Sequence, residues 1–414
     1  MAISLTSIPT LVESPFIIAT IGGYTFGSYS VLGTSSAGIP LNVEYPNYMK
    51  SISIEKVNGT VNTYTLSLSY QVAAGQDPNL LDKIFSKASK DRKIILQYGD
   101  WNAPTYIYKE EEAIITNVTS TLNMSDGSID YTVQCTSDAI GLTSTPHTFP
   151  SVTDKGSNIL LNLLRNQRLG LAQVFTGMAD IAKVLSSNMI ASNDKVISLL
   201  AQTNVTALDY MNYVVNSMIS SSANPNGLAN STYALSIHDD VNNQYGGTYF
   251  KVTEISPAAA TSIKNSTDTY EIDVNYPGDN FVTEFSLTND QSWSILYEYA
   301  DQVTSENYTY KINNEGTMIT TAAPTLLQST RTNIQSPTKT AWWTKMTQFP
   351  IEATLTIKGL TRPSILMAYV KINVWFAGGM KHISSGLYVI TKQIDQIDES
   401  GYKTTLTLLR VGGD

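Results

Sequence analysis

One cysteine in 414 residues, Cys135, excludes an intramolecular disulfide as a source of stability, and its alternating context with Tyr131 and Val133 reads as a buried strand thiol rather than a nucleophile. A reducing compartment is therefore allowed. Histidine is almost as scarce: His147, His238 and His382 lie in separate segments, with no second ligand at metal spacing. Charge is low too, 15% against roughly 25% in an average soluble protein. The net charge of −9 and the lack of any basic run argue against a general phosphate-binding surface. No stretch approaches the roughly 20 apolar residues of a membrane span, and Met1 to Thr10 lack the pattern of a secretory signal, so synthesis in the cytosol is expected. Neither a phosphate-cradling glycine loop nor a Gly-x-Ser-x-Gly elbow occurs.

What the chain has instead is Ser, Thr, Asn and 24 Tyr against 10 Phe. A ring with a polar tip suits half-buried strands and wet interfaces, and β-propensity alone also favours it. The length allows about two to four domains at roughly 100–200 residues each. The stretch from Ser51 to Trp101 is the most tightly specified. Tyr64, Leu66, Leu68, Tyr70 and Val72 alternate with small polar residues, the period of a strand with one buried face. Asp77-Pro78 then signals a helix start, with Leu80, Leu81, Ile84, Phe85 and Ala88 as its apolar stripe. Lys90 to Lys93 close the helix, and Ile94-Ile95-Leu96 resume as strand up to Gly99-Asp100.

Around this unit, residues 15 to 31 read as two short strands about Ile21-Gly22-Gly23, and Asn58-Gly59 as a two-residue hairpin. Strands are expected over Ala113 to Val118 and Ile129 to Thr136, so that a closed or nearly closed antiparallel barrel ends near Leu142. Helical spacing follows over 158–167, 171–185, 192–202 and 204–218. Strand patterns return at Tyr233 to Ile237, Tyr249 to Val252 and Tyr270 to Val274, and Phe281 to Leu287 follows. A helix is expected through Trp293 to Tyr299, and a Thr-rich loop over 317–337. Alternation then marks Ile351 to Ile357, Leu366 to Phe376, Leu387 to Thr391, Ile394 to Ile397 and Thr404 to Arg410. The expected fold is mainly β with a helical segment (α+β). Residues 1–145 form a first β-barrel with one helix and 146–230 a helix-rich domain. Residues 231–414 form a second barrel, discontinuous, with a subdomain inserted around 290–345.

No catalytic constellation is visible. His238-Asp239-Asp240 reads as a solvated turn, and Glu110-Glu111-Glu112, which alternate faces on a strand, as an exposed acidic patch. Trp342-Trp343 is the one candidate for an exposed aromatic pair, and buried anchoring is favoured. No catalytic, cofactor-binding or metal-ligating residue is therefore expected, and no enzyme; a glycosidase would need two convergent carboxylates.

The runs Ser51-Ile52-Ser53-Ile54, Tyr64-Thr65-Leu66, Asp77-Pro78-Asn79, Ile84-Phe85 and Ile94 to Asp100 resemble the first barrel of tail hub proteins, the central baseplate proteins of tailed bacteriophages. The T-even hub and the late control proteins of contractile tails are relatives. Thr361-Arg362-Pro363, Ser385 to Ile390 and Gly401 to Val411 look like the last strands of that family. The resemblance covers both ends and not the middle. It implies a structural virion protein without cofactors, made in the host cytoplasm and placed in the tail baseplate. It implies a homotrimer with two tail-tube-like barrels per subunit, a pseudo-sixfold ring. One side would meet the tail tube or a distal tail protein, the other a central spike or fibre and further baseplate proteins. DNA would pass through the lumen without specific binding, and no membrane span is involved. Two other readings stay open: a receptor-binding or adhesin-type tail component, and the hub of a contractile injection system.

Overall fold

The structure, a computed structural model, describes residues 3–4, 15–27, 46–72, 75–86, 93–100, 108–165, 194, 196–218, 232–240, 248–255, 270–276, 281–289, 310–312, 318–320, 351–359, 365–376 and 378–413. It is mainly β with few helices. After β1 (Ile3–Ser4) come β2 (Pro15–Ile21), β3 (Tyr24–Gly27), β4 (Met49–Val57), β5 (Thr63–Gln71), α1 (Leu80–Ser86), β6 (Lys93–Asp100), β7 (Tyr108–Leu122) and β8 (Ser128–Thr136). The middle holds α2 (Gly141–Ser144), β9 (Pro146–Phe149), β10 (Val152–Lys155), α3 (Gly156–Arg165), β11 (Val196–Leu199), β12 (Gln202–Thr206), α4 (Ala207–Ser217), β13 (Thr232–His238) and β14 (Tyr249–Ile255). The rest comprises β15 (Tyr270–Val274), β16 (Val282–Asn289), β17 (Tyr310–Ile312), β18 (Met318–Thr320), β19 (Ile351–Lys358), β20 (Tyr369–Val374), β21 (Gly386–Asp398) and β22 (Gly401–Gly413).

The alternation in β5 is realised: Tyr64, Leu66, Leu68 and Tyr70 are buried, and Thr63, Thr65 and Gln71 face out. Hydrogen bonding runs β3-β2-β6-β7-β8-β5-β4, each neighbour antiparallel, and Gly27 donates back to the carbonyl of Pro46 at 3.0 Å. Leu81, Ile84 and Phe85 of α1 pack into the core this curl encloses. Asp77 starts the helix as expected: its Oδ1 accepts from Asn79 N–H at 3.0 Å and its carbonyl from the Tyr70 hydroxyl at 2.7 Å.

A second set, β16-β19-β22-β21, is also antiparallel. Beyond it β20 pairs with β15, and β15 with β1, in parallel, which departs from the purely antiparallel expectation. A parallel pair needs a long crossover, and almost a hundred residues separate β15 from β20 and far more separate β1 from β15. The two sets are one hydrogen-bonded sheet because β21 is a single strand of 13 residues, not the two short strands expected. Its first half pairs with β20, its second half with β4, and a register shift between Ile390 and Lys392 marks the change of partner. Thus the hairpin β21–β22 gives Ile397 and Tyr402 to the first core, and Tyr388, Ile390, Leu406 and Leu408 to the second.

The middle segment is less helical than its spacing suggests. Helices form over 156–165 and 207–217, close to two of the expected four; the span 171–185 lies outside the described residues. Where the expected helix 192–202 falls on described residues, the chain forms β11 and the start of β12 instead. Ile197 and Leu199 are buried while Val196 and Leu200 are 59% and 44% exposed, a period of two that four apolar residues could not separate from a helical one. Thr206 caps α4 by accepting from Asp209 N–H at 3.1 Å, and Phe149 stacks on Tyr210 at 4.0 Å. The core around α3 and α4 also takes Tyr233, Leu235, Ile237, Phe250 and Val252 from the β13–β14 hairpin. The opposite face of that hairpin, Ala234 and Ile255, packs on Met367, Tyr369 and Val389 of the second set. The Trp293 helix and Trp342-Trp343 lie outside the described residues, as does most of the Thr-rich stretch, in which Met318–Thr320 is strand.

Candidate functional site

Inward-facing positions on the first set carry charge as well as apolar side chains. Along β4 the buried face reads Ile52, Ile54, Lys56; along β7 it reads Glu111, Ala113, Ile115; along β21 it reads Gln393, Asp395, Ile397. The register brings these together with Tyr64, Tyr98, Tyr402 and Thr404, none more than 3% exposed. The Lys56 ammonium donates to Glu111 Oε1, which also accepts from the Tyr98 hydroxyl at 2.8 Å. Tyr64 OH lies 2.9 Å from Glu111 Oε2 and 2.9 Å from Asp239 Oδ2. Asp239 Oδ1 accepts from Ser137 Oγ at 2.6 Å and Thr248 Oγ1 at 2.7 Å, and Oδ2 accepts from Asn62 Nδ2 at 2.7 Å. Asp395 accepts from Gln393 Nε2 at 2.8 Å, Thr404 Oγ1 at 2.7 Å and Tyr402 OH at 3.1 Å.

Two expectations are overturned here. His238-Asp239-Asp240 is not a solvated turn: His238 and Asp239 are 2% and 1% exposed, because the end of β13 docks on the first set. The carbonyl of Asp239 accepts from Glu112 N–H at 3.2 Å, and Asp240 bridges Glu111. Nor is the acidic run one exposed patch. It alternates faces as a strand must, so that Glu111 is buried, while Glu112 pairs with Lys93 and Glu110 accepts from Gln97 at 3.2 Å. The Asn58-Gly59 turn is likewise longer than two residues and locks onto the middle segment. Gly59, at φ +77°, donates to the Leu235 carbonyl at 2.6 Å and accepts from Asn212 Nδ2 at 2.7 Å.

Burial dominates the electrostatics of the junction. It pulls the Lys56 ammonium toward neutrality, but Glu111, Asp395 and Asp239 outweigh it, and the pKa ends above the ordinary value. Desolvation, then the neighbouring carboxylates, hold Tyr64, Tyr98 and Tyr402 well above the phenol range. Burial raises Asp239 despite its hydrogen bonds, and lowers His238 to about 3. The His238 ring stacks on Tyr249 at 4.8 Å, with Nε2 2.9 Å from Ser236 Oγ. The arrangement joins three parts of the chain and is shut off from solvent, so it can lock and register them but offers a substrate no approach.

The other residues weighed from sequence do not converge on it. His147 sits on β9 beside Phe149, and His382 contacts Ser384 Oγ at 2.6 Å in the β20–β21 connection. Cys135 is buried on β8 as expected, its thiol pushed up to about 12 by desolvation. Among the described residues no group of His, Cys, Asp or Glu is arranged to hold a metal, and no helix is long and apolar enough to cross a membrane. Near His382, Phe376, Met380 and Ile383 are 51%, 67% and 81% exposed, and Lys381 lies over the Trp375 ring at 5.2 Å.

No family model matches the chain, and no curated protein matches it. Among solved structures, the tail protein from Neisseria meningitidis MC58 is similar at a TM-score of 0.48 and 10% identity, over 96% of this chain and 97% of that one. The 43 kDa tail protein of prophage MuSo2 from Shewanella oneidensis is similar at 0.46 and 8%, over 96% and 97%. The E. coli c3393 protein, a component of the type VI secretion system with structural similarity to the T4 tail proteins gp27 and gp5, is similar at 0.45 and 9%, over 88% and 74%.

Proposed function

We propose that this chain is a structural tail hub protein, three copies of which form a pseudo-sixfold ring in the baseplate between the tail tube or a distal tail protein and the central spike or fibre. In this reading residues 1–145 and 231–414 supply the two tube-like barrels, with 146–230 as the helical part between them. The observation that carries it is the β21–β22 hairpin, whose side chains belong to both cores. Such a piece makes two barrel-like units move as one body, which is what three chains need if they are to occupy six equivalent positions. Exposed Phe376, Met380 and Ile383, close together at one end of the second set, suit a subunit or baseplate contact. The net charge of −9 suits a lumen through which DNA slides without sticking.

The purified protein should run at three times the monomer mass, with an obligate interface larger than about 2,000 Å². Electron micrographs of the particle should show rings with threefold symmetry on one face and near-sixfold on the other. A strictly monomeric profile at micromolar concentration, or rings of another symmetry, would refute the hub. Binding of a host polysaccharide by the monomer would instead favour the adhesin.

A further inference from the structure

The Tyr64 hydroxyl has one proton and two carboxylate neighbours, Glu111 Oε2 and Asp239 Oδ2, each at 2.9 Å. It donates to one of them, and the other oxygen avoids lone-pair repulsion at that distance by carrying a proton of its own. Glu111 is the side paired with a cation, since Oε1 receives the Lys56 ammonium. The groups bonded to Asp239, namely Ser137, Thr248 and Asn62, are all neutral. One lysine thus faces Glu111, Asp395 and Asp239 in a volume closed to water. An excess of buried negative charge is relieved by binding a proton.

We propose that Asp239 is kept as a neutral carboxylic acid that donates through Oδ2 to Tyr64, which in turn donates to Glu111, so that the end of β13 stays latched to the first set only while that proton is held. On loss of the proton to solvent, Asp239 becomes a second carboxylate facing the same phenol, and the docked end of the hairpin is released. Burial acts on Asp239 in the same direction, raising its pKa. A carboxyl raised in the fold stabilises docking at low pH, and that contribution is lost as the pH climbs from the unfolded value of 3.8 through the folded one.

The other titratable groups facing the pair are Lys56 on β4, Tyr98 on β6, Asp395 on β21 and Tyr402 on β22, with His238 next to Asp239 on β13 and Lys251 of β14 acting on His238. His238 works the opposite way, losing stability below its ordinary value of 6.5. Comparing wild type with Asp239→Asn at each pH cancels these groups, because the asparagine amide donates to Tyr64 as the acid does and does not titrate; the hydrogen bond that Oδ2 accepts from Asn62 is lost in the variant at every pH alike. Hydrogen exchange of the full chain, corrected for intrinsic rates, should show wild-type protection of 232–238 and 249–255 falling about tenfold or more as the pH is raised above the ordinary carboxyl value of 3.8, with Asp239→Asn level. Identical pH profiles would overturn the latch. Infrared spectra of aspartate-labelled protein decide independently if the variant does not fold. A protonated-carboxyl band that persists above the ordinary value of 3.8 and moves in Tyr64→Phe supports the relay, and a missing or unmoved band rejects it.

Discussion

Lys56 and Glu111 sit where an isoleucine and an alanine would continue the buried faces of their strands, and each is 1% exposed at the side chain. Neither is stable there alone, because an unpaired ion in such a site loses its hydration without compensation. Glu111→Gln should therefore cost about 3–5 kcal/mol in urea unfolding, since it strands the ammonium. The double change Lys56→Met with Glu111→Leu should recover part of that loss, because it removes both desolvation penalties together but also takes Glu111 away as acceptor for the Tyr98 and Tyr64 hydroxyls. His238 gives a pH signature. Held neutral down to about 3, it contributes stability that is complete above 6.5 and drains away as the pH falls toward 3. His238→Gln should flatten the stability profile within that window by a few kcal/mol, since each tenfold change in proton affinity is worth about 1.4 kcal/mol. Denaturation midpoints at successive pH values measure it.

The elements were readable where one face is apolar and the other polar. β4, β5, β8, β19 and β22 all follow their sequence alternation, and α1 follows its Asp77 start signal. β21 was not readable as one strand, because Lys392 and Gln393 interrupt the pattern where the partner changes from β20 to β4. The buried junction escaped for a different reason. Glu111 and Asp239 are far apart in sequence, and a polar residue on an inward position looks solvated until its partner is placed. The signal that was present lies in the tyrosines: Tyr64 and Tyr98 fall on inward positions, and a buried phenol needs an acceptor. The same hairpin offers a test of close packing. A methyl group on Gly359 would meet the Tyr402 ring at 2.1 Å, and that ring is held by Asp395 and packs at 6.3 Å from Tyr98. Gly359→Ala should cost about 1–3 kcal/mol or more by overpacking, seen as a lowered thermal midpoint.

At the scale of the molecule, the question is whether the two cores are separate folding units or one. Proteins with independent domains lose protection in one while keeping it in the other. Here Leu406 and Leu408 lie in the second core on the strand that also carries Tyr402 into the first. The adjoining half of β21 is zipped to β4 from Ile52↔Ile397 to Val57↔Lys392. Releasing the second core therefore frees the hairpin, and with it a strand edge and two core side chains of the first. Leu406→Ala, at a fully buried position, should cost about 2–5 kcal/mol. Hydrogen exchange should show that cost at Ile54 and Leu66 as well as at Ala353 and Leu355. Undiminished protection of the first core would mean that the two units are joined only by hydrogen bonds, and a body so jointed could not hold two positions of a ring at a fixed angle.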